Sequence, residues 1–293
     1  MPLLVRLWAS TRDTVNSVRG RLVLLTISLL IPTLLSSSFL LASANLKGRA
    51  QVDQQLMTTA RALSAAMDRQ TAAGLAVAET LASDQALQAG DWDTVHARAL
   101  RVTGQRKGWL VLTDATGQQV VNTLKPVHAP LPRSQRAPEM AKAFSERRSQ
   151  ISNLRPGQVA KGFVITVATP VVIKGQPYML AYVADSATFS DLMRQQRAPA
   201  GWVITLLDGN HKIIARSVNN ARWTGQDATS EQIGYLKRSN EGVRLARSLE
   251  GVSSLVAYTR SPQSGWTLLV DVPRASLANV MTGSMLRATG VFV

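Results

Sequence analysis

The sequence predicts an α+β protein in which a long N-terminal helix leads into two tandem antiparallel-sheet subdomains. Three observations support this fold class. A run without charged residues covers 22–46, apolar residues then recur at helical spacing as far as Met67, and one strand–turn–strand pattern occurs twice, 93–94 residues apart. An internal repeat of this kind decides the architecture, because each copy is one supersecondary unit that must pack as a layer.

The uncharged run at 22–46 has the length of a transmembrane helix. A bilayer core of about 30 Å requires about 20 predominantly apolar residues in a helix, and Pro32 is tolerated in such a segment. Four arginines and one aspartate precede the run. The positive-inside rule therefore predicts that residues 1–21 stay in the cytoplasm and that the chain beyond the run is exported.

Two alternatives for this run stay open. Ala42-Ser43-Ala44 resembles a signal-peptidase site, which would make the run a cleaved signal peptide, although such peptides have a shorter apolar region of about 7–15 residues. A buried core helix is the third interpretation, and 25 positions without a charge are unusual for one.

Residues 47–104 are predicted to form a long helix and a helical layer. Val52, Leu56, Ala60, Leu63 and Met67 recur at three- and four-residue steps, which is typical of an amphipathic helix. The same stripe suggests a homodimer contact through Leu56 and Leu63. Further helices are predicted at 71–88 and 91–103, with Asp91 as the N-cap of the latter.

The repeated unit begins at Gly108-Trp109 and again at Gly201-Trp202. In each copy an apolar strand runs to an aspartate in a polar turn, Asp114 or Asp208, and a second strand follows. Further hairpins are predicted at 162–184 and 254–272, helices at 137–147 and 187–196, and a proline-rich loop at 126–138. Each copy thus supplies four or five antiparallel strands with helices on one side, the plan of a PAS-like fold.

Composition and motif searches exclude several functions. The chain has no cysteine, which excludes disulfides and cysteine-rich zinc sites. Its net charge is +15, but no basic helix or aromatic–basic interleaving suggests nucleic-acid binding. Catalytic motifs are absent, and we expect no cofactor and no bound metal. The basic balance favours a small anionic ligand such as a carboxylate.

The order of the motifs resembles that of the double Cache (dCache) sensor domains. The motifs are Gly-Trp-Leu-Val-Leu-Thr-Asp-Ala-Thr-Gly (108–117), Asn122-Thr123, Ala168-Thr169-Pro170-Val171, Gly201-Trp202, Ile214-Ala215-Arg216-Ser217, Glu241-Gly242, Ser264-Gly265-Trp266 and Val272-Pro273. The set is particularly similar to the extracytoplasmic part of bacterial sensor histidine kinases, and it covers about residues 15–293.

The resemblance implies a sensor placed in a bacterial inner membrane, with residues 47–276 in the periplasm. It implies a membrane-distal subdomain at 105–185, a membrane-proximal subdomain at 186–273, and the start of a truncated second transmembrane helix at 274–293. His96, His128 and His211 are the only histidines, and none has a phospho-acceptor context. We therefore expect no enzymatic activity from this chain, whereas a full-length relative would be a protein histidine kinase. A chemoreceptor or diguanylate cyclase sensor, and a free-standing binding protein, are the alternatives.

In sensors of this shape the ligand pocket lies on the sheet of the membrane-distal copy. The candidate ligand contacts are therefore Asn122, Lys125, Arg133, Thr166, Tyr178, Tyr182 and Asp185. Tyr178 and Tyr182 share one strand face because side chains alternate along a strand. An N-cap role is the alternative for Asp185. The Arg-x-Trp clamp of amino acid receptors in this family is absent, so an amino acid ligand is not supported.

Structural roles are expected for several other polar and aromatic residues. Asp114 and Asp208 are predicted to brace their turns by accepting hydrogen bonds from local backbone amides. His211 is expected to be a solvated loop residue beside the second turn. Trp109, Trp202 and Trp266 open strands and are expected to pack in the core or at its rim.

Overall fold

The computed structural model describes residues 18–104, 107–134, 138–196 and 198–276. The chain divides into two compact units, residues 1–54 and 55–293. Helix α1, Val18–Ala82, begins in the first unit and ends in the second, and it includes the predicted membrane segment 22–46. Within the part of the chain that the structure describes, no helix combines the length and the apolar character needed to cross a bilayer. Residues 1–17 and the predicted second membrane helix from 277 onward lie outside the described residues.

In the second unit, α1 buries the apolar stripe that the sequence predicts. Leu56, Ala60, Leu63 and Met67 are all at most 6% exposed. The spacing of apolar residues therefore predicted the buried face of this helix correctly. The expectation that Leu56 and Leu63 form a dimer contact is wrong, because both side chains are already buried within one protomer.

Two short helices follow α1, and an aspartate caps each of them. Asp84 accepts a hydrogen bond from the Ala86 amide at 2.8 Å and begins α2, Gln85–Ala89. Asp91 accepts one from the Thr94 amide at 3.1 Å and begins α3, Trp92–Thr103, as predicted. The single helix expected at 71–88 is wrong, since Asp84 adopts an extended conformation and ends the path of α1.

The first sheet contains six antiparallel strands. They are β1 (Trp109–Asp114), β2 (Gln119–Asn122), β3 (Gln150–Ile151), β4 (Arg155–Pro156), β5 (Phe163–Ile173) and β6 (Gln176–Asp185). Their spatial order is β2-β1-β6-β5-β3, and β4 also pairs with β5. Helix α4 (Pro138–Glu146) precedes β3, and α5 (Ser186–Gln195) follows β6.

The second sheet contains five antiparallel strands. They are β7 (Val203–Leu207), β8 (Ile213–Arg216), β9 (Glu241–Arg247), β10 (Ser253–Arg260) and β11 (Thr267–Pro273), in the spatial order β8-β7-β11-β10-β9. Helices α6 (Asn220–Trp223) and α7 (Ser230–Leu236) connect β8 to β9. The core of this half packs Tyr235 and Leu236 of α7 against Tyr258 and Leu269 of the sheet.

The two sheets repeat one another in order and in detail. A register shift interrupts the β1–β2 pair after Leu112 and the β7–β8 pair after Leu206. The Leu110 amide donates to Thr123 Oγ1 at 3.0 Å, and the Ile204 amide donates to Ser217 Oγ at 2.9 Å, 94 residues later in each case. The predicted duplication of an α+β, PAS-like unit is therefore confirmed.

Asp114 and Asp208 brace equivalent turns, as the sequence predicts. Asp114 Oδ1 accepts from the amides of Thr116 and Gln118 at 2.8 and 3.0 Å, and Asp208 Oδ1 accepts from two amides of its own turn at 2.9 and 2.8 Å. Burial raises the pKa of the Asp114 carboxyl, but the hydrogen bond from the Thr116 hydroxyl at 2.7 Å and those from the two amides outweigh burial and leave the pKa below its ordinary value.

His211, in the second turn, differs from expectation. It is half-buried with φ 64°, and its Nδ1 has no hydrogen-bond partner among the described residues. Burial, followed by the positive charges of Arg260 and Lys237, lowers the pKa of its imidazole. The prediction of a solvated loop residue is therefore wrong, because the turn folds this side chain inward.

Candidate ligand-binding site

A cavity of about 330 Å³ lies against one face of the first sheet. The registers of β1, β5 and β6 place Trp109, Val111, Thr113, Thr166, Ala181 and Val183 on that face. The segment 155–160 and Ser134 supply the facing walls. The cavity is thus bounded by a rigid sheet on one side and by connecting segments on the other, an arrangement typical of a small-molecule site.

A chain of amide hydrogen bonds runs along the cavity wall. Asn122 Nδ2 donates to Gln119 Oε1 at 2.8 Å. Gln119 Nε2 donates in turn to Ser134 Oγ at 3.0 Å and to Gln158 Oε1 at 3.2 Å, and Gln158 Nε2 donates to the Arg133 carbonyl at 3.0 Å. These contacts tie strand β2 to both facing walls. A ligand that bonds to any of these amides therefore acts on both walls at once.

Asn122 holds its position because β2 ends there. It is 2% exposed, it pairs with Val111 of β1, and its Oδ1 accepts from the Leu124 amide at 3.0 Å. Its side chain closes the strand and at the same time faces the cavity. A buried amide that satisfies local backbone has little rotational freedom, so the polar corner is preorganised.

Arginine supplies the charge of the cavity. Arg155 of β4 is a lining residue, and no aspartate or glutamate is found among the described residues that line the cavity. The remaining polar groups are neutral: Thr113, Gln119, Asn122, Ser134, Gln158 and Thr166. This set can donate to an anionic or neutral oxygen, whereas it offers an ammonium group no carboxylate partner.

Of the seven predicted contacts, the cavity brings together Asn122 and Thr166. Thr166 pairs with Val183, so both side chains point to the face of the sheet that lines the cavity. Its amide donates to Ser152 Oγ at 2.9 Å.

Tyr178 and Tyr182 share a face as predicted, but it is the opposite face of the sheet. Tyr182 packs its ring against Gly74 of α1 and against Gly108. Tyr178 contacts Trp92 of α3, with 5.9 Å between ring centroids. Both tyrosines therefore join the first sheet to the helical layer, and the cavity lies on the other side.

The three remaining candidates lie away from the cavity wall. The Lys125 carbonyl makes a 2.8 Å hydrogen bond with His96 Nε2, and Arg133 is exposed next to the lining residue Ser134. Asp185 accepts from the Ala187 amide at 2.8 Å and caps α5, which was the alternative weighed for it.

The sequence prediction missed six polar or aromatic lining residues: Trp109, Thr113, Gln119, Ser134, Arg155 and Gln158. Alternation along β1 could have placed Trp109 on the face of Thr113. Arg155 and Gln158 lie in an irregular segment, and only the tertiary pairing of β4 with β5 brings that segment over the sheet. No local pattern predicts such a contact.

No family model and no curated protein matches the chain. Among solved structures, the extracellular domain of the histidine kinase designated rpHK1S-Z16 aligns with a TM-score of 0.63 at 18% identity, covering 78% of this chain and 97% of that one. The chain has the fold of the double Cache sensor domains.

Two chemoreceptor domains show the same likeness. The ligand-binding domain of the Pseudomonas aeruginosa PAO1 amino acid chemoreceptor PctB, in complex with L-Gln, has a TM-score of 0.59 at 16% identity. The alignment covers 82% of this chain and 99% of that one. The ligand-binding domain of the Pseudomonas fluorescens chemoreceptor CtaA, in complex with L-isoleucine, has a TM-score of 0.58 at 16% identity. The alignment covers 79% of this chain and 96% of that one. Sensor domains of kinases and of chemoreceptors therefore share this dCache fold.

Proposed function

We propose that the chain is an extracytoplasmic ligand-sensing module for transmembrane signalling, and that its output is a two-component histidine kinase. The dCache fold supports a sensor role, and the likeness to a histidine kinase extracellular domain supports the output. A chemoreceptor or a diguanylate cyclase is the second candidate, favoured by the likeness to PctB and CtaA. A homodimer and a membrane anchor at 22–46 belong to the same proposal.

The anchor proposal is supported by the charge-free sequence of 22–46 and by its side chains. In the first unit, α1 exposes Leu25, Leu29, Leu34 and Leu35 by 58–74%. A row of exposed leucines on one helix is costly in water and favourable in lipid. The chain beyond the anchor would then lie in the periplasm and residues 1–21 in the cytoplasm.

The cavity on the first sheet is the observation that carries the sensor proposal. It combines an apolar lining with a few convergent polar groups, and its amide chain joins the sheet to both facing walls. A ligand held there would draw the segment 155–160 and the Ser134 loop toward β2. Binding would thus shift the population toward a closed form of this half of the sensor.

The ligand class follows from the charge of the cavity. Its volume is near the lower end of small-molecule pockets, about 300–1,000 Å³, which selects a small ligand. Arg155 favours a carboxylate, and a free ammonium group would lack an acidic partner among the described lining residues. PctB and CtaA are described with bound amino acids; for this chain we propose a small carboxylic acid without an amino group.

A matched pair of probes tests this proposal. Succinate and aspartate differ by one ammonium group, so the melting temperature of the purified full chain is measured with each. Succinate should raise it and aspartate should not. Arg155→Gln should raise about tenfold the succinate concentration needed for the same rise in melting temperature. A factor of this size corresponds to the loss of one charge-assisted hydrogen bond. Arg133→Gln, an exposed arginine beside the cavity, is the matched control and should respond as the wild type does. Equal stabilisation by aspartate would contradict the ligand class.

A further inference from the structure

The second sheet carries a buried charged cluster where the first sheet carries its cavity. Val111 pairs with Asn122 in the first sheet, and Thr205 pairs with Arg216 in the second. Val183 pairs with Trp109 in the first sheet, and Asp271 pairs with Val203 at the equivalent position of the second sheet. The duplicated fold therefore places an arginine and an aspartate at the site that is lined by an amide and a valine in the first copy.

Arg216 is the fixed cation of this cluster. Its side chain is 1% exposed, and its guanidinium lies 5.5 Å from the centre of the Trp223 ring. Nη2 donates to Glu250 Oε2 at 2.8 Å, Nη1 donates to Glu250 Oε1, and Nε donates to Thr205 Oγ1 at 3.3 Å. A buried arginine held in one orientation is a preformed carboxylate receptor.

Glu250 occupies that receptor from a surface turn. Its side chain is 38% exposed, and it lies in the turn between β9 and β10, outside the strand pairing that ends at Ser253 and Arg247. The hydrogen bonds from Arg216 lower the pKa of this carboxyl to about 2, so it is charged at neutral pH. The turn can move Glu250 outward without breaking a ladder hydrogen bond of the sheet.

Three buried polar atoms in the same region have no hydrogen-bond partner among the described residues. They are Asp271 Oδ1, the Tyr235 hydroxyl and Trp223 Nε1. Tyr235 and Trp223 pack in one buried cluster with Leu269 of the sheet. Asp271 lies on the same sheet face, two residues after Leu269 and opposite Val256, another member of that cluster. Buried polar groups in native proteins are almost always paired, so the cluster presents unused capacity for hydrogen bonds.

We propose that this cluster is a second ligand site, which takes a small carboxylate bearing a hydroxyl group and is closed in this structure by Glu250. The ligand carboxylate replaces that of Glu250 on Arg216, so one charge-assisted pair is exchanged for another at little cost. The ligand hydroxyl bonds to Asp271 and Tyr235. The site is independent of the first-sheet cavity. This last step rests on the proposed function: β11 carries Asp271 and ends at Pro273, on the side of the chain where the proposed output follows, so occupation of the site acts at the output end of the sensor.

Glycolate, the smallest hydroxycarboxylate, is the probe. Calorimetric titration of the full chain should show binding of glycolate, weaker binding of acetate, and none of ethylene glycol, which has no carboxylate. Glu250→Gln removes the competing internal carboxylate and should raise the glycolate affinity at least about tenfold. Arg216→Gln should abolish the binding event that Glu250→Gln strengthens.

A second variant keeps the test valid if Arg216→Gln fails to fold. Asp271→Asn should reduce the preference for glycolate over acetate about tenfold, because the bond to the ligand hydroxyl changes. Arg133→Gln, at an exposed arginine that lines neither site, should bind glycolate as the wild type does. The proposal is overturned if glycolate binds only to Glu250→Gln, which would make Glu250 a permanent partner of Arg216. It is also overturned if Arg155→Gln, and not the second-sheet variants, loses binding.

Discussion

Asp271 shows how one residue makes the stability of this protein depend on pH. The side chain is 3% exposed, and burial raises the pKa of its carboxyl to about 7 against the attraction of Arg216. In the unfolded chain the same carboxyl ionises near 3.8. Between these values the unfolded state has released the proton and the folded state has kept it, so the free energy of unfolding falls as pH rises from about 4 to 7.

Asp271→Asn should remove this pH dependence, since asparagine carries no charge in either state. The variant and the wild type should melt at similar temperatures near pH 4. The variant should become progressively more stable than the wild type up to about pH 7, and the difference should then stay constant. Thermal unfolding of both chains across this range measures it. A difference that does not change with pH would show that the carboxyl ionises normally in the folded state.

Residue-level prediction from the sequence succeeded where a local pattern carries the information. Alternation placed Tyr178 and Tyr182 on one face. Asp91 caps a helix and Asp114 braces a turn, as their neighbours in the sequence indicate. Alternation cannot say which face meets the helices. That choice depends on long-range pairing, here of β6 with β1 and β5, so both tyrosines were placed on the wrong side relative to Thr166.

At the scale of elements, the contact between α1 and the first sheet depends on one glycine. A Cβ atom built on Gly74 would lie 2.5 Å from Tyr182 Cδ1 and 2.9 Å from Cε1. Tyr182 is 3% exposed, and the edge of its ring that faces Gly74 cannot move aside as the end of a flexible side chain could. The helix therefore approaches the sheet at a distance that only glycine permits.

Gly74→Ala should destabilise the protein. Alanine gains about 1 kcal/mol of helix propensity, but overpacking a buried contact costs about 1–3 kcal/mol, so we expect a net loss of up to roughly 2 kcal/mol. Gly234→Ala is the matched control, because Gly234 also lies in a helix, α7, and has no atom within 4 Å of the added Cβ. That variant should gain about 0.5–1 kcal/mol. Equal melting temperatures for the two variants would refute the close contact.

Whole helices and hairpins were predictable to the extent that their signals are local. The β5–β6 hairpin, predicted at 162–184, turns at Lys174-Gly175, and both residues have positive φ. By contrast, β9 was not predicted as a strand. Its burial pattern is mostly exposed, since it lies at the edge of the second sheet and has few buried side chains to produce an apolar pattern.

At the scale of the whole molecule, the two sheets of the second unit are joined to each other and to α1 through polar contacts between distant parts of the sequence. The Leu154 amide donates to Asp208 Oδ2 and the Gly209 amide donates to Asn153 Oδ1, both at 3.0 Å. Ser261 Oγ donates to Asp68 Oδ1 at 2.8 Å, which ties the β10–β11 turn to α1. A change in either sheet can therefore reach α1 without passing through the chain between them.

The proposed membrane topology predicts where engineered cysteines can be labelled. The chain has no cysteine of its own, so each single substitution reports one position without background. Arg238→Cys, at an exposed site beyond α7, should react with a membrane-impermeant maleimide in intact spheroplasts, because the proposal puts it in the periplasm. Ser10→Cys, before the uncharged run, should react only after the membrane is permeabilised. Both variants must fractionate with membranes, and the unsubstituted chain must stay unlabelled. Labelling of Ser10→Cys in intact spheroplasts would show that the topology is the reverse of the one proposed. A soluble Arg238→Cys chain that lacks the residues before 45 would show that the run is a cleaved signal peptide instead of an anchor.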